Sequence, residues 1–176
     1  MKNRTVWLLV SCLMTVALPL VSCGQAVTEE EEAPAPTLNL RIGETAQTPN
    51  MKLTVSEPVI TDSYQYYSKV AEETRTKETP AGWSFLLVTI ELENLGSDQQ
   101  QVGLIKIKAT DSKDTNYTPL ALLAEDRLVH AQELAPGEKV TGRVLFKIRE
   151  EATGLKLIYD LMSLNVDIEQ AEWQID

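Results

Sequence analysis

Side chains able to do acid–base or nucleophilic chemistry are scarce in this sequence. Histidine, the usual base for a serine or cysteine nucleophile, occurs once, as His130 beside apolar Val129. The sequence contains no G-x-S-x-G, H-E-x-x-H or paired C-x-x-C motif, and a single histidine cannot build a two-histidine metal site. We therefore expect no enzyme activity, no metal and no cofactor.

Two weaker motif matches also favour ordinary structure. Gly137 and Gly142 have the spacing of a phosphate-binding loop, but Arg143 and Val144 replace the Lys and Ser/Thr that contact phosphate and magnesium. The segment "DSKDTNYT" supplies Asp111, Asp114 and Asn116, yet Lys113 stands where a calcium loop needs an oxygen ligand, and the required glycine is absent. This segment predicts a turn in which Asp and Asn cap their own backbone.

Aromatic residues offer the remaining binding candidates. Trp83 and Trp173 could stack on sugars or cations, but both lie in strand-like segments, which favours packing. Tyr64, Tyr66 and Tyr67 have mixed parity within a polar stretch, so they cannot all point into a core. We predict that at least one is available to a partner, although tyrosines also commonly seal the end of a sandwich.

The two cysteines lie near the start, each closing a copy of "LVSC". Lys2 and Arg4 precede a mostly apolar run, and "LVSC" at 20–23 then matches a bacterial lipobox. Residues 1–22 are accordingly predicted to be a lipoprotein signal peptide, with Cys23 lipidated at the new N-terminus. The copy that ends at Cys12 has too short an apolar run before it, and an uncleaved membrane anchor is the alternative for the whole segment.

Composition divides the remaining chain in two. Residues 23–36 comprise the lipidated cysteine and a flexible tether, because four consecutive glutamates and two prolines favour an extended, solvated chain. Residues 37–176 are long enough for one domain with its own core. The net charge of −10 argues against nucleic-acid binding, since no basic stripe exists to contact phosphates.

From residue 37 onward the apolar period is mostly two, which indicates half-buried antiparallel strands. In "WSFLLVTIELENL" both parities are apolar in the first half, which predicts a central strand covered on both faces. Gly103 stands where the apolar phase changes, which predicts a bulge or bend, and "APGE" predicts a type II turn. The pattern as a whole predicts a β-sandwich. Residues 61–82 are interpreted as a long polar connection and residues 119–130 as a stretch that could hold a short helical turn.

The runs "GWSFLLVTIELENLGSDQQ", "LAPGEKVTGRVLFKI" and "GLKLIYD" together resemble the telokin-like extracytoplasmic family catalogued as domain of unknown function 4352 (DUF4352), over roughly residues 38–176. The resemblance implies an all-β, immunoglobulin-like antiparallel sandwich, commonly displayed behind a signal peptide or lipid anchor. It supplies no active-site motif.

Three functional hypotheses follow. The favoured one is a non-enzymatic lipoprotein at the extracytoplasmic face of the cell membrane, binding an envelope or extracellular protein. The second is a solute- or carbohydrate-binding accessory module built on the tryptophans or tyrosines. A hydrolase that uses carboxylates or a Ser/Lys pair has the least support.

Overall fold

The computed structural model describes residues 37–68, 70–161 and 168–175. The predicted signal peptide, Cys23 and the tether lie outside these residues, so those predictions stand as made. Within the described ranges, no helix is long and apolar enough to cross a membrane.

The regular secondary structure of the described chain consists almost entirely of strands. They are β1 (Thr37–Arg41), β2 (Thr45–Gln47), β3 (Met51–Thr61), β4 (Ser63–Ser68), β5 (Glu73–Glu78), β6 (Trp83–Asn94), β7 (Gln100–Val102), β8 (Ile107–Thr110), β9 (Asn116–Tyr117), β10 (Pro119–Leu120), β11 (Gln132–Leu134), β12 (Lys139–Arg149), β13 (Lys156–Asp160) and β14 (Gln170–Gln174). A single 3₁₀ turn, Leu104–Lys106, precedes β8.

Two five-stranded sheets form the body of the domain. The β6 sheet has the order β10-β12-β6-β3-β2, and the β13 sheet has the order β1-β14-β13-β8-β9. All pairs are antiparallel except β1 with β14, which run parallel and start from the pair Thr37 and Gln170. Two short ribbons, β7 with β11 and β4 with β5, stand outside these sheets. The predicted all-β antiparallel sandwich is therefore confirmed.

Alternating apolar residues of both sheets meet in one core. From β3 they include Met51, Leu53 and Val55, all at most 1% exposed, and from the facing sheet Tyr159 and Trp173, both at 0%. The alternation predicted for these strands is confirmed. Burial of this apolar area is the main source of the domain's stability, at about 25 cal/mol per Å² removed from water.

Strand β6 is the centre of its sheet and is buried on both faces, as its sequence predicts. Leu86, Val88, Ile90 and Leu92 point into the main core at 0% exposure. On the outer face, a second cluster gathers the side chains of Phe85, Leu87, Leu122, Ala124 and Leu145, with Tyr64 against it. A non-β segment that follows β10 thus covers the outside of the sheet.

Two turns can be compared with the predictions made from their sequence, those at "APGE" and at Gly103. At "APGE" the Glu138 amide donates to the Ala135 carbonyl at 3.0 Å, and Gly137 has φ +77°, which confirms a type II turn. At Gly103, φ +140°, the chain does change direction, but it does so through the 3₁₀ turn rather than a bulge. A Cβ at Gly103 would lie 2.4 Å from the His130 carbonyl oxygen, so the close approach of these segments requires glycine.

Two expectations about connections are wrong. Residues 61–82 are not an irregular loop, because most of them form the β4–β5 hairpin. Residues 119–130 contain no helical turn, since Pro119–Leu120 is a strand and the rest is an irregular cover over the β6 sheet. In the second place, Leu122 and Ala124 pack against Phe85 and Leu87 of β6, which lie far away in the sequence.

Candidate functional site

The β4–β5 hairpin, residues 63–78, projects from the domain as an extension of the β3–β6 pair. The Thr79 amide and hydroxyl both donate to the Asp62 carbonyl, at 2.8 and 3.1 Å, and this closes the base of the hairpin. Every residue of β5 is exposed. An isolated two-stranded ribbon is marginally stable in water, so this hairpin depends on contacts with the domain.

Tyr64 supplies such a contact. Its ring packs edge-on against Phe85, with centroids 5.2 Å apart and planes at 71°, a favourable geometry for two aromatic rings. Burial raises the pKa of its hydroxyl, although the backbone amide of Leu123 donates a hydrogen bond to it. Tyr64 therefore holds the hairpin against the outer face of the β6 sheet and is not a free binding surface.

Tyr67 points elsewhere. Its side chain lies on the opposite face of β4 from Tyr64 and is 50% exposed, and Val70 near the hairpin tip is 99% exposed. Single exposed apolar side chains are common on protein surfaces, so Tyr67 and Val70 are of interest as a pair, three residues apart on the hairpin. The parity argument from the sequence thus separates one packed tyrosine from one that is accessible.

A cleft of about 520 Å³, the hairpin cleft, lies between the hairpin and the segment that follows β10, residues 121–130. It is lined by Tyr66, Tyr67, Ser68, Leu123, Glu125 and Arg127. Aromatic, apolar and charged side chains therefore meet in one concave site, and its volume falls within the range of small-molecule sites, roughly 300–1,000 Å³. The sequence argument found the tyrosines but missed the other wall, because that wall was expected to be a helical turn.

Backbone contacts fix the wall that carries Arg127. The Leu128 amide donates to the Arg143 carbonyl at 2.9 Å, and the Arg143 amide donates to the Asp126 carbonyl at 2.8 Å. A Cβ at Gly142 would lie 2.6 Å from the Leu128 nitrogen, so glycine permits this approach. Gly137 and Gly142 are thus required by a turn and by a close backbone approach. This agrees with the interpretation that their resemblance to a phosphate-binding loop is accidental.

His130 borders a different groove. This groove, of about 390 Å³, is mostly apolar and is lined by Leu104, Ile107, Thr118, Pro119, Leu120, Ala121, Arg127, Leu128 and His130. Among the described residues no group of three metal-ligating side chains could hold an ion. The histidine is exposed and makes no hydrogen bond to a nucleophile in the described chain.

The Asp111 carboxylate is used internally. One oxygen accepts the amides of Lys113 and Thr115 at 2.9 and 3.0 Å, and the other accepts the Tyr117 hydroxyl at 2.7 Å. The Tyr117 hydrogen bond, with help from the two amides, lowers the pKa of Asp111 to about 2. The self-capped turn is therefore confirmed for Asp111, whereas Asn116 belongs to strand β9. The three bonds leave Asp111 few lone pairs for a cation.

The two tryptophans of the domain differ. Trp173 is 0% exposed, and its indole nitrogen donates to the Glu44 carbonyl at 3.0 Å, so it is a core residue and not a ligand platform. Trp83 is half-buried on the outer face of the β6 sheet, and two cations lie over its ring.

A comparison of the sequence with family models finds one match. The model described as "Domain of unknown function (DUF4352)" matches residues 40–167. No curated protein matches the chain by sequence.

Solved structures share the fold at low identity. The yjhA protein of Bacillus subtilis has a TM-score of 0.59 at 19% identity, over 78% of this chain and 99% of that one. The ycdA candidate lipoprotein of the same organism has a TM-score of 0.57 at 15% identity, over 75% of this chain and 38% of that one. The secreted protein MPT63 of Mycobacterium tuberculosis has a TM-score of 0.52 at 14% identity, over 81% of this chain and all of that one.

Proposed function

The chain belongs to the DUF4352 family, and we propose that it is a lipid-anchored, non-enzymatic binding module on the extracytoplasmic face of the cell membrane. In this proposal Cys23 carries the lipid, and the acidic tether of 13 residues after it, ~40 Å when extended, holds the sandwich clear of the headgroups. The partner is an envelope or extracellular protein.

Export and anchoring have two lines of support. The lipobox "LVSC" follows a cationic start and an apolar run of the right length. Two proteins of similar fold are described as a candidate lipoprotein and as a secreted protein. A domain with no paired cysteines can fold in an oxidising compartment without disulfide chemistry, because its core alone stabilises it.

The observation that carries the binding role is the exposed end of the hairpin. Tyr67 and Val70 are accessible on a ribbon whose second strand, β5, is exposed along its whole length. Aromatic side chains at the centre of an interface contribute much of its binding energy. A partner that covers Tyr67 and Val70 would also bury the open edges of the two-stranded ribbon.

The test is site-specific photo-crosslinking on intact host cells. We expect a crosslinker at position 67 or 70 to give one discrete product with a protein, and one at Leu95, 39% exposed at the far end of β6, to give none. The Tyr67→Ser/Val70→Ser variant should lose the partner, identified from that product, by at least about tenfold in affinity with an unchanged melting temperature. Identical products from positions 67 and 95, or undiminished binding by the double variant, would refute the proposal.

The hairpin cleft favours a second candidate function, that of a solute- or carbohydrate-binding accessory module. Tyr66, Tyr67 and Arg127 could hold a small polar ligand, and the cleft is large enough for one. A ligand present at 100 times its dissociation constant stabilises the native state by about 2.7 kcal/mol. A thermal-shift screen of sugars and peptides with the wild type and Tyr66→Ala decides this candidate. A midpoint that does not move with any compound rejects it.

A further inference from the structure

Lys147 and Arg149 come together over one indole ring. Arg149 is the cross-strand partner of Trp83, and Lys147 is the partner of Phe85, so both cations lie on the outer face of the β6 sheet. The Lys147 Nζ is 4.4 Å and the Arg149 Cζ 4.9 Å from the centroid of the Trp83 ring. Two residues apart on β12, both cations thus lie within 4.9 Å of the centroid of the same ring.

Neither charge is neutralised within the described residues. Lys139, Arg143 and Lys156 each pair with a carboxylate there, at 3.1, 2.7 and 3.2 Å, but Lys147 and Arg149 make no ion pair. Glu150 and Glu151 follow Arg149 directly, yet neither pairs with it in the described structure. In a chain of net charge −10, the sheet leaves two adjacent cations without an acidic partner.

The position of the cations decides which ligand fits. A sugar platform needs a free indole face, and here cations lie over the ring. An anion, in contrast, would relieve the repulsion between the two like charges. Because the ring already restricts both side chains, less rotamer entropy is lost when they close on a ligand.

We propose that Trp83, Lys147 and Arg149 form a binding site for a phosphate-type oxyanion. The planar guanidinium of Arg149 can donate two parallel hydrogen bonds to two phosphate oxygens, and the Lys147 ammonium can donate to a third. A phosphate monoester has three terminal oxygens and close to two negative charges at neutral pH, which matches the two cations. The site is separate from the hairpin cleft and does not depend on the proposed partner.

Tryptophan fluorescence provides the readout. Of the three tryptophans, Trp7 lies in the predicted signal segment and Trp173 is fully buried, so Trp83 is the fluorophore at the site. The full chain is purified in neutral detergent and titrated at constant ionic strength with inorganic phosphate, with glucose 6-phosphate, and with micelles containing phosphatidic acid, a lipid monoester, or phosphatidylcholine. The first two probes test a free or sugar phosphate, and the micelles test a lipid headgroup.

We expect a saturable change with at least one phosphate-bearing probe that exceeds the change with phosphatidylcholine, and none in Trp83→Phe. Lys147→Gln and Arg149→Gln should weaken binding at least about tenfold, since a hydrogen bond to a charged group is lost in each. Lys147→Arg, which keeps the charge, should retain binding. Lys108→Gln, an exposed cation on β8 in the other sheet, should leave it unchanged.

Three results would overturn the site: no saturable change with any phosphate-bearing probe, the same change in Trp83→Phe, or undiminished affinity in both glutamine variants. The melting curve of each variant shows whether the variant is still folded. Lys147→Arg is the second control, because it keeps both the charge and the packing over Trp83.

Discussion

At the scale of single residues, Asp111 is a buried carboxylate that three hydrogen bonds hold in its ionised form. Its pKa falls from 3.8 to about 2, chiefly through the hydrogen bond from Tyr117, so the folded state favours the ionised form. The ionised group therefore contributes stability above about pH 4, and that contribution disappears as the pH falls through about 2.

The prediction concerns Asp111→Asn. Denaturant midpoints measured from pH 2 to pH 7 should show the variant less stable than the wild type above about pH 4, with the difference shrinking toward zero near pH 2. Asp114→Asn is the matched control, because Asp114 is exposed in the same turn and asparagine tolerates its φ of +58°. A difference that does not vary with pH, or an equal profile in the control, would contradict this account of Asp111.

Residue roles were predictable from sequence where the chemistry is local. An aspartate that caps amides two and four residues onward needs only its own turn, so "DSKDTN" was sufficient to predict it. The pair of cations over Trp83 was not predictable, because Trp83 and Arg149 are brought together only by the register of β6 with β12. The same holds for Arg127 and the tyrosines, which share a cleft without being close in sequence.

At the scale of elements, the hairpin should be separable from the rest of the domain. Tyr64→Ala removes the ring contact with Phe85 and a hydrogen-bond acceptor for the Leu123 amide. We expect hydrogen exchange of β4 and β5 amides to accelerate at least about tenfold, while β3 and β6 amides keep their protection.

Tyr64→Phe serves as the control, since it keeps the ring and loses only the hydroxyl. Its β4 and β5 amides should exchange close to the wild-type rate. If Tyr64→Ala left hairpin exchange unchanged, Tyr64 would not be the residue that holds the hairpin on the sheet.

Elements were predictable where one face is buried. The first half of β3 and the second half of β6 show clear alternation because their inner side chains meet the facing sheet. β5 has no buried residue, so its sequence has no apolar period and was interpreted as part of a loop. The segment after β10 misled in the opposite way, because its leucines fit a helical spacing but cover the outside of the β6 sheet.

At the scale of the whole molecule, the predicted anchor and tether precede a β-sandwich that carries an exposed hairpin. The sandwich is stabilised by one core that both sheets share. Trp173 and Tyr159 are the largest fully buried side chains among the described residues. Period-two alternation over several strands was sufficient to predict this class of fold. The parallel pairing of β1 with β14 was not predictable, because it joins the two ends of the described domain.

The central claim is that the domain is held at a membrane through Cys23. The decisive measurement is the intact mass of the protein from its native host, together with its partitioning into a detergent phase, for the wild type and Cys23→Ser. We expect the wild type to begin at Cys23, to carry the added mass of a lipid and to enter the detergent phase, and the variant to lack the lipid. A wild type that retains residues 1–22 with Cys23 unmodified would contradict the account.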